Sequence, residues 1–225
     1  MENILDNPIW HALSTGNKQL AFGNDNAKYI KRDVGFFAGL HTNEEEKLKE
    51  LHRLVPANET FYLFTPREIN IPGDWQIQKN REILQMIYPL KEVIDNSKEE
   101  IVPLTDKYIP AMIELTSLTN PGPFLSRTID YGNYEGIFNG EQLVAMAGQR
   151  LQPDPYIEVS AVCTHPAHTG RGYAARLIIS QLNQIIERSG IPFLHVYPDN
   201  TSAIKLYYKL GFELRSKMML YVINS

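Results

Sequence analysis

The chain has 225 residues, 43% of them hydrophobic, and a formal net charge of −4. That is enough apolar material for one large core or two small ones, which excludes a disordered or fibrous chain. With no cluster of Lys and Arg to attract polyanions, nucleic acids and membrane surfaces are excluded as partners. The single cysteine, Cys163, rules out a disulfide framework and any cysteine-based metal spacing, and fits a reducing, cytoplasmic setting. The N-terminus lacks a basic leader followed by an apolar stretch, and no apolar run approaches the ~18 residues of a membrane span.

In chain order, "AKYIKRDVGFFAGL" reads as strand, turn, strand. Asn43 then reads as an N-cap, and Glu44 to Glu46 load the first turn of a helix whose Leu48, Leu51 and Leu54 recur before Pro56 ends it. "TFYLFT" and "WQIQKNREILQMIYP" read as strands separated by the turn "NIPGD". The charged stretch "KEVIDNSKEE" is the expected boundary, dividing an N-terminal α/β unit (1–96) from a second unit (97–225).

The second unit runs strand ("IVPLT"), helix ("DKYIPAMIELTSLT"), a Pro/Gly loop ("NPGPFLSRT"), and a hairpin of "YEGIF" and "QLVAMAGQRL" turning at Asn139-Gly140. Then come the strand "YIEVSAVCTHP", a helix from about Arg171 to Ser189, the strand "PFLHVYP", the helix "NTSAIKLYYKLG" and a last strand, "MMLYVI". Hairpins mixed with crossovers predict an α/β fold with a mixed, mostly antiparallel sheet.

The stretch "TGRGYAARL" places Gly170 and Gly172 between a strand and a helix. A helix N-terminus there turns unpaired N–H groups and the positive end of its dipole toward a crevice, a place suited to an anion. Gly170 and Gly172 let backbone approach such a group, and Arg171 adds a charge. Ala175, Ile178, Ile179, Leu182, Ile185 and Ile186 form the expected apolar face of that helix, with Gln181, Gln184, Glu187 and Arg188 opposite and Gly190 as its left-handed terminus. Alone, the glycine pair also reads as a plain helix-initiating turn. His165 and His168 sit three apart, but Pro166 between them argues for a loop, and no metal is expected.

From Tyr156 onward, "YIEVSAVCTHPAHTGRGYAARL" resembles the acyl-CoA-binding segment of the GNAT superfamily of N-acetyltransferases, with Thr169, Gly172 and Ala174 in the slots of its Gln/Arg-x-x-Gly-x-Gly/Ala loop. Thr169 departs from that pattern. A second segment, "NTSAIKLYYKLGF", resembles the family's later helix through Asn200, Ala203, Tyr207, Lys209, Gly211 and Phe212. "PGPF", "THP" and "GRGYA" look most like the glycine-N-acyltransferase-like branch.

The resemblance implies acetyl-CoA as co-substrate, its pyrophosphate at Thr169, Gly170, Arg171, Gly172, Tyr173 and Ala174. Its pantetheine would lie along Val162, Cys163 and Thr164, where the strand splays from its neighbour, and near Asn200 and Ala203. It implies direct acetyl transfer to a small amine, an amino acid or a protein amine, with Tyr207 as general acid and Glu158 at the position of a general base, though water takes the amine proton in other members. If Glu158 faces the cleft, partial burial raises its pKa; the equal alternative is a solvent-facing strand residue or a structural ion pair. Tyr208 is expected to pack the helix, Phe124 and Arg127 either to contact the acceptor or simply to pack, His195 is a weaker base candidate, and a covalent role for Cys163 is not expected. A homodimer is compatible with this reading. The alternative is a non-catalytic CoA-binding module acting as a sensor or interaction protein.

Overall fold

A computed structural model describes residues 3–90 and 101–225; the expected boundary at 96/97 lies outside the described residues. Eleven strands and five α-helices are described in chain order. The N-terminal part holds α1 (Pro8–Ser14), β1 (Ala21–Gly23), β2 (Ala27–Ile30), β3 (Ala38–Leu40), α2 (Glu45–Leu54), β4 (Thr60–Thr65) and β5 (Gln76–Ile87). The rest holds β6 (Val102–Pro103), α3 (Ile109–Thr119), β7 (Glu135–Asn139), β8 (Gln142–Gln149), β9 (Tyr156–Thr164), α4 (Tyr173–Glu187), β10 (Ile191–Val196), α5 (Thr201–Lys209) and β11 (Glu213–Asn224).

Strands β1 to β3 form a small antiparallel sheet, and the other eight make one twisted sheet in the order β4-β11-β5-β10-β9-β8-β7-β6. Only β9 and β10 run parallel; every other neighbouring pair is antiparallel, as expected. Strand β5 lies between β10 and β11, so strands from both sides of residue 96 belong to one sheet.

Strand β8 carries the nearly continuous apolar run "LVAMAG" because it is covered on both faces. α4 packs on one side through Leu177, Ile178, Leu182 and Ile185, all fully buried, and each such side chain contributes roughly 1.5–3 kcal/mol of transfer free energy.

Several local expectations change. Glu44, not Asn43, is the N-cap of α2, and no side chain caps it. α1 is a further helix: seven residues are too short for a periodic pattern, and it is held by burial of Ile9, Trp10 and Leu13 against the small sheet. In α4, Gln181 faces inward rather than to solvent, donating to the Glu135 carboxylate at 2.7 Å and the Asn133 carbonyl at 2.9 Å.

The left-handed residue after α4 is Ser189 (φ 62°), not Gly190. Gly190 is instead needed for room, since a Cβ there would lie 2.9 Å from Ile185 and 3.1 Å from Ile157. The hairpin forms, but Asn139 pairs with Gln142, so Gly140 (φ 62°) and Glu141 are its central residues and Gly140 alone takes positive φ. That is the type II′ arrangement.

Candidate active site

The site is built where the sheet opens. β10 stays in register with β9 only from Ile191 to Phe193 against Tyr156 to Glu158. Beyond that point β9 continues beside β8 and β10 beside β5, leaving a gap between them. Inside β9, Ala161 has φ 53° and the ladder to β8 shifts, with Ala161 and Val162 opposite Ala147. Such a bulge bends the strand and turns its backbone out of the ladder.

A cleft of about 710 Å³ occupies the opening. Of the residues expected to hold a cofactor, Val162, Cys163, Thr164, Thr169, Ala174, Asn200 and Ala203 line it, together with Tyr207. Gly170, Arg171, Gly172 and Tyr173 are not among its lining residues; they form the turn and helix start between Thr169 and Ala174. Gly170 (φ 77°) and Gly172 (φ 78°) both adopt the left-handed conformation, and a Cβ on either would meet nothing within 4 Å. Gly172 is the N-cap of α4 and no side chain caps it, so the first-turn N–H groups are left for an anion. Thr169 Oγ1 donates to the Pro166 carbonyl at 3.1 Å within its own exposed turn. Asn200 caps α5, its side chain accepting from the Ala203 N–H at 3.2 Å.

A smaller cavity of about 130 Å³ shares Tyr62, Val162, Tyr197, Asn200 and Tyr207 with the cleft. Tyr207 therefore stands where the two meet. Its burial pushes the phenol up to about 12. Tyr208, expected to be the packing residue, is instead half exposed; Tyr207 is the one that packs, against Phe212.

Glu158 is fully buried, and its environment reverses the expected pKa shift. Burial works to raise the carboxyl, but the Arg150 charge and hydrogen bonds outweigh it and hold Glu158 at about 2. Arg150 Nε and Nη2 donate to it at 2.8 and 2.6 Å. His195 Nδ1 lies 2.7 Å from Glu158 Oε1, and its Nε2 lies 3.0 Å from Gln85 Nε2. Neutral His195 thus donates to Glu158 and accepts from Gln85, and its burial lowers its pKa first and foremost. The line continues as Arg215 donates to Gln85 Oε1 at 2.7 Å and to Asp6 at 2.6 Å. Glu158 is a fixed anion and both His195 nitrogens are engaged, so neither is a free base.

Cys163 is buried, which raises its thiol to about 11, a poor nucleophile at neutral pH. Arg127, expected at the acceptor, is held on the surface by Asp130 and by Asp106 at 3.1 Å, and Phe124 packs edge-on against Tyr134. The residues of that loop that reach both cavities are Pro121, Gly122 and Pro123. Sequence reading also missed Tyr62, Lys79, Arg150 and Tyr197. Tyr62 and Lys79 reach the site from β4 and β5, and no local spacing announces such a meeting. Among the described residues no group of three or more His, Cys, Asp or Glu could hold a metal, and no helix is long and apolar enough to cross a membrane.

The chain matches the family model described as FR47-like protein over residues 134–221. It aligns over its whole length with a GNAT-family protein from Novosphingobium aromaticivorans DSM 12444, covering 99% of that chain at 33% identity and a TM-score of 0.92. A GCN5-related N-acetyltransferase from Kribbella flavida shares the fold at 15% identity and a TM-score of 0.63, over 96% of this chain and 95% of that one. Among curated proteins, N-alpha-acetyltransferase RimI of Mycobacterium tuberculosis is 36% identical over 87 residues, 37% of this chain and 53% of that protein. This chain thus spans about half the length of that relative. It belongs to the GNAT family of acetyltransferases.

Proposed function

We propose that the protein moves an acetyl group from acetyl-CoA directly to an amine. The observation that carries this reading is the position of Tyr207 at the junction of the 710 Å³ cleft and the 130 Å³ cavity. The uncapped, glycine-flanked start of α4 fits a pyrophosphate, and the bulged stretch of β9 that lines the cleft at Val162, Cys163 and Thr164 fits an amide-bearing arm. Thr169, Gly170, Arg171, Gly172, Tyr173 and Ala174 would hold the phosphates, and Asn200 and Ala203 would border the arm. Acetyl-CoA supplies the acetyl group as an activated thioester.

The protein's own part is to aim and to move one proton. As the C–S bond breaks and the N–C amide bond forms, Tyr207 Oη gives its proton to the departing sulfur and is restored by a proton lost from the amine. A phenol with a pKa of about 12 is protonated at every physiological pH, so the acid is always armed. Glu158 serves as a buried anion that orients Arg150 and His195, and the acceptor's ammonium form gives one proton to solvent to become the attacking amine.

Residues 1–96 are read as contributing the substrate side of the site, through Tyr62, Phe64 and Ile83 in the wall of the small cavity, and 97–225 as carrying its catalytic residues. The Pro121–Pro123 loop lining both cavities supports the glycine-N-acyltransferase-like branch and an acceptor-side role for that loop. Thiol release from acetyl-CoA with an amine panel tests the proposal. Turnover with at least one amine is expected, and CoA binding with no turnover on any amine would replace it with a non-catalytic CoA-binding module.

A further inference from the structure

The small cavity has an unusual lining for its size. Its walls mix aromatic and aliphatic groups, including Phe37, Phe64, Ile83 and Leu220, with polar ones such as Tyr62 and Asn200, and among the described residues Arg150 is its one permanent charge. His195, which also lines it, is kept neutral by burial and has both ring nitrogens engaged. Glu158 lies behind Arg150 and does not line the cavity. Arg150 binds Glu158 with only its Nε and Nη2, the side-on edge of the guanidinium. The other edge, formed by Nη1 and the second Nη2 hydrogen, is a two-donor fork of the shape that takes a carboxylate.

We propose that Arg150 reads a carboxylate on the acyl acceptor, and that the acceptor is a small apolar α-amino acid acetylated on its amino group. The inference rests on the acetyltransferase reading above and adds the acceptor to it. Position argues for it: the cavity of about 130 Å³ joins the cleft at Tyr207, so a compact acceptor seated there presents its amine toward the acetyl group without having to fit inside the cavity whole. Charge argues for it as well. Arg150 and Glu158 cancel, so the site is neutral overall and suits a zwitterion better than a bare cation or anion. With the carboxylate on Arg150 and the side chain among the aromatic walls, the amino group is left for the Tyr207 side, where the cavity meets the cleft. The ammonium gives up two protons as the N–C bond forms and the C–S bond breaks; one balances the proton Tyr207 delivers to sulfur and the other goes to solvent.

The test compares L-leucine and L-phenylalanine with isoamylamine, phenethylamine and leucinamide, which keep the amine and the apolar group but lack the carboxylate. Leucine or phenylalanine is expected to exceed its carboxylate-free analogues at least ~30-fold in kcat/KM. In Arg150→Lys, which keeps a charge beside Glu158 but loses the fork, that ratio should collapse toward one through KM. Equal turnover of amine, amide and amino acid by the wild type overturns the proposal, and so does an Arg150→Lys protein that retains the wild-type ratio. Calorimetric titration of the CoA-loaded wild type with L-leucine and isoamylamine reads the same preference without turnover. If no amine releases thiol, the acetyltransferase reading fails, and leucine binding no tighter than isoamylamine then overturns the acceptor proposal separately.

Discussion

His195 Nδ1 lies 2.7 Å from Glu158 Oε1, and neither side chain is exposed to solvent. The pair sets how the protein meets acid. Glu158, held at about 2 in the fold against an ordinary 4.5, is a depressed acid: its stabilisation is present above pH 4.5 and is lost as pH falls toward 2. By linkage this is on the order of 3 kcal/mol. His195, also depressed from 6.5 by burial, acts in the same direction, because the unfolded chain binds its proton more readily. Stability should therefore begin to fall below about pH 6.5 and fall further below 4.5, read as the urea midpoint against pH. In Glu158→Gln the acid limb below pH 4.5 should shrink. The variant should also be less stable at pH 7 by roughly 3–5 kcal/mol, since Arg150 is left buried without its anion.

Tyr207 is the residue on which turnover should depend most. Replacement by Phe removes one hydroxyl and keeps the contact with Phe212, so the fold and CoA affinity should change little. The rate of thiol release should drop by about 10²–10⁴-fold, in kcat rather than KM. An unchanged kcat would remove Tyr207 from the role of acid. Because the phenol is pushed up to about 12, the wild type should show no alkaline loss of rate from this group up to about pH 10.

The sheet was legible where pairing is local and pattern is strong: the apolar run of β8, the hairpin joining β7 to β8, and the amphipathic α4. Insertion of β5 between β10 and β11 was not, because its partners are more than a hundred residues away and pairing leaves no trace in spacing. The same physics hid half of the site. Glu158 was found from its strand position, but Arg150, which decides its charge state, reaches it across the β8–β9 connection, so the pKa shift was read with the wrong sign. Gln181 looked like a surface residue because its type is polar; its burial depends on Glu135, a carboxylate at the start of β7.

Cys163 gives a check on the direct route. It lines the cleft and its thiol is raised to about 11, so a covalent acyl-enzyme through sulfur is disfavoured. Cys163→Ala should keep at least about a third of the wild-type kcat, and intact protein incubated with acetyl-CoA should gain no acetyl mass at that residue. A loss of ~100-fold or more with an acetylated Cys163 peptide would reverse the assignment.

Gly172 separates the phosphate cradle from a plain helix start. At φ 78° an alanine is strained, by about 1–2 kcal/mol, though its Cβ meets no protein atom within 4 Å. A structural turn alone would show only that modest loss of stability. If the start of α4 holds the pyrophosphate, the added methyl stands where the anion must approach backbone N–H groups, and Gly172→Ala should weaken CoA binding at least ~10-fold while the melting temperature falls by only a few degrees. Calorimetric titration with CoA, beside adenosine lacking the diphosphate, reads the difference: unchanged CoA affinity in the variant would leave Gly172 a turn residue and move the cradle elsewhere.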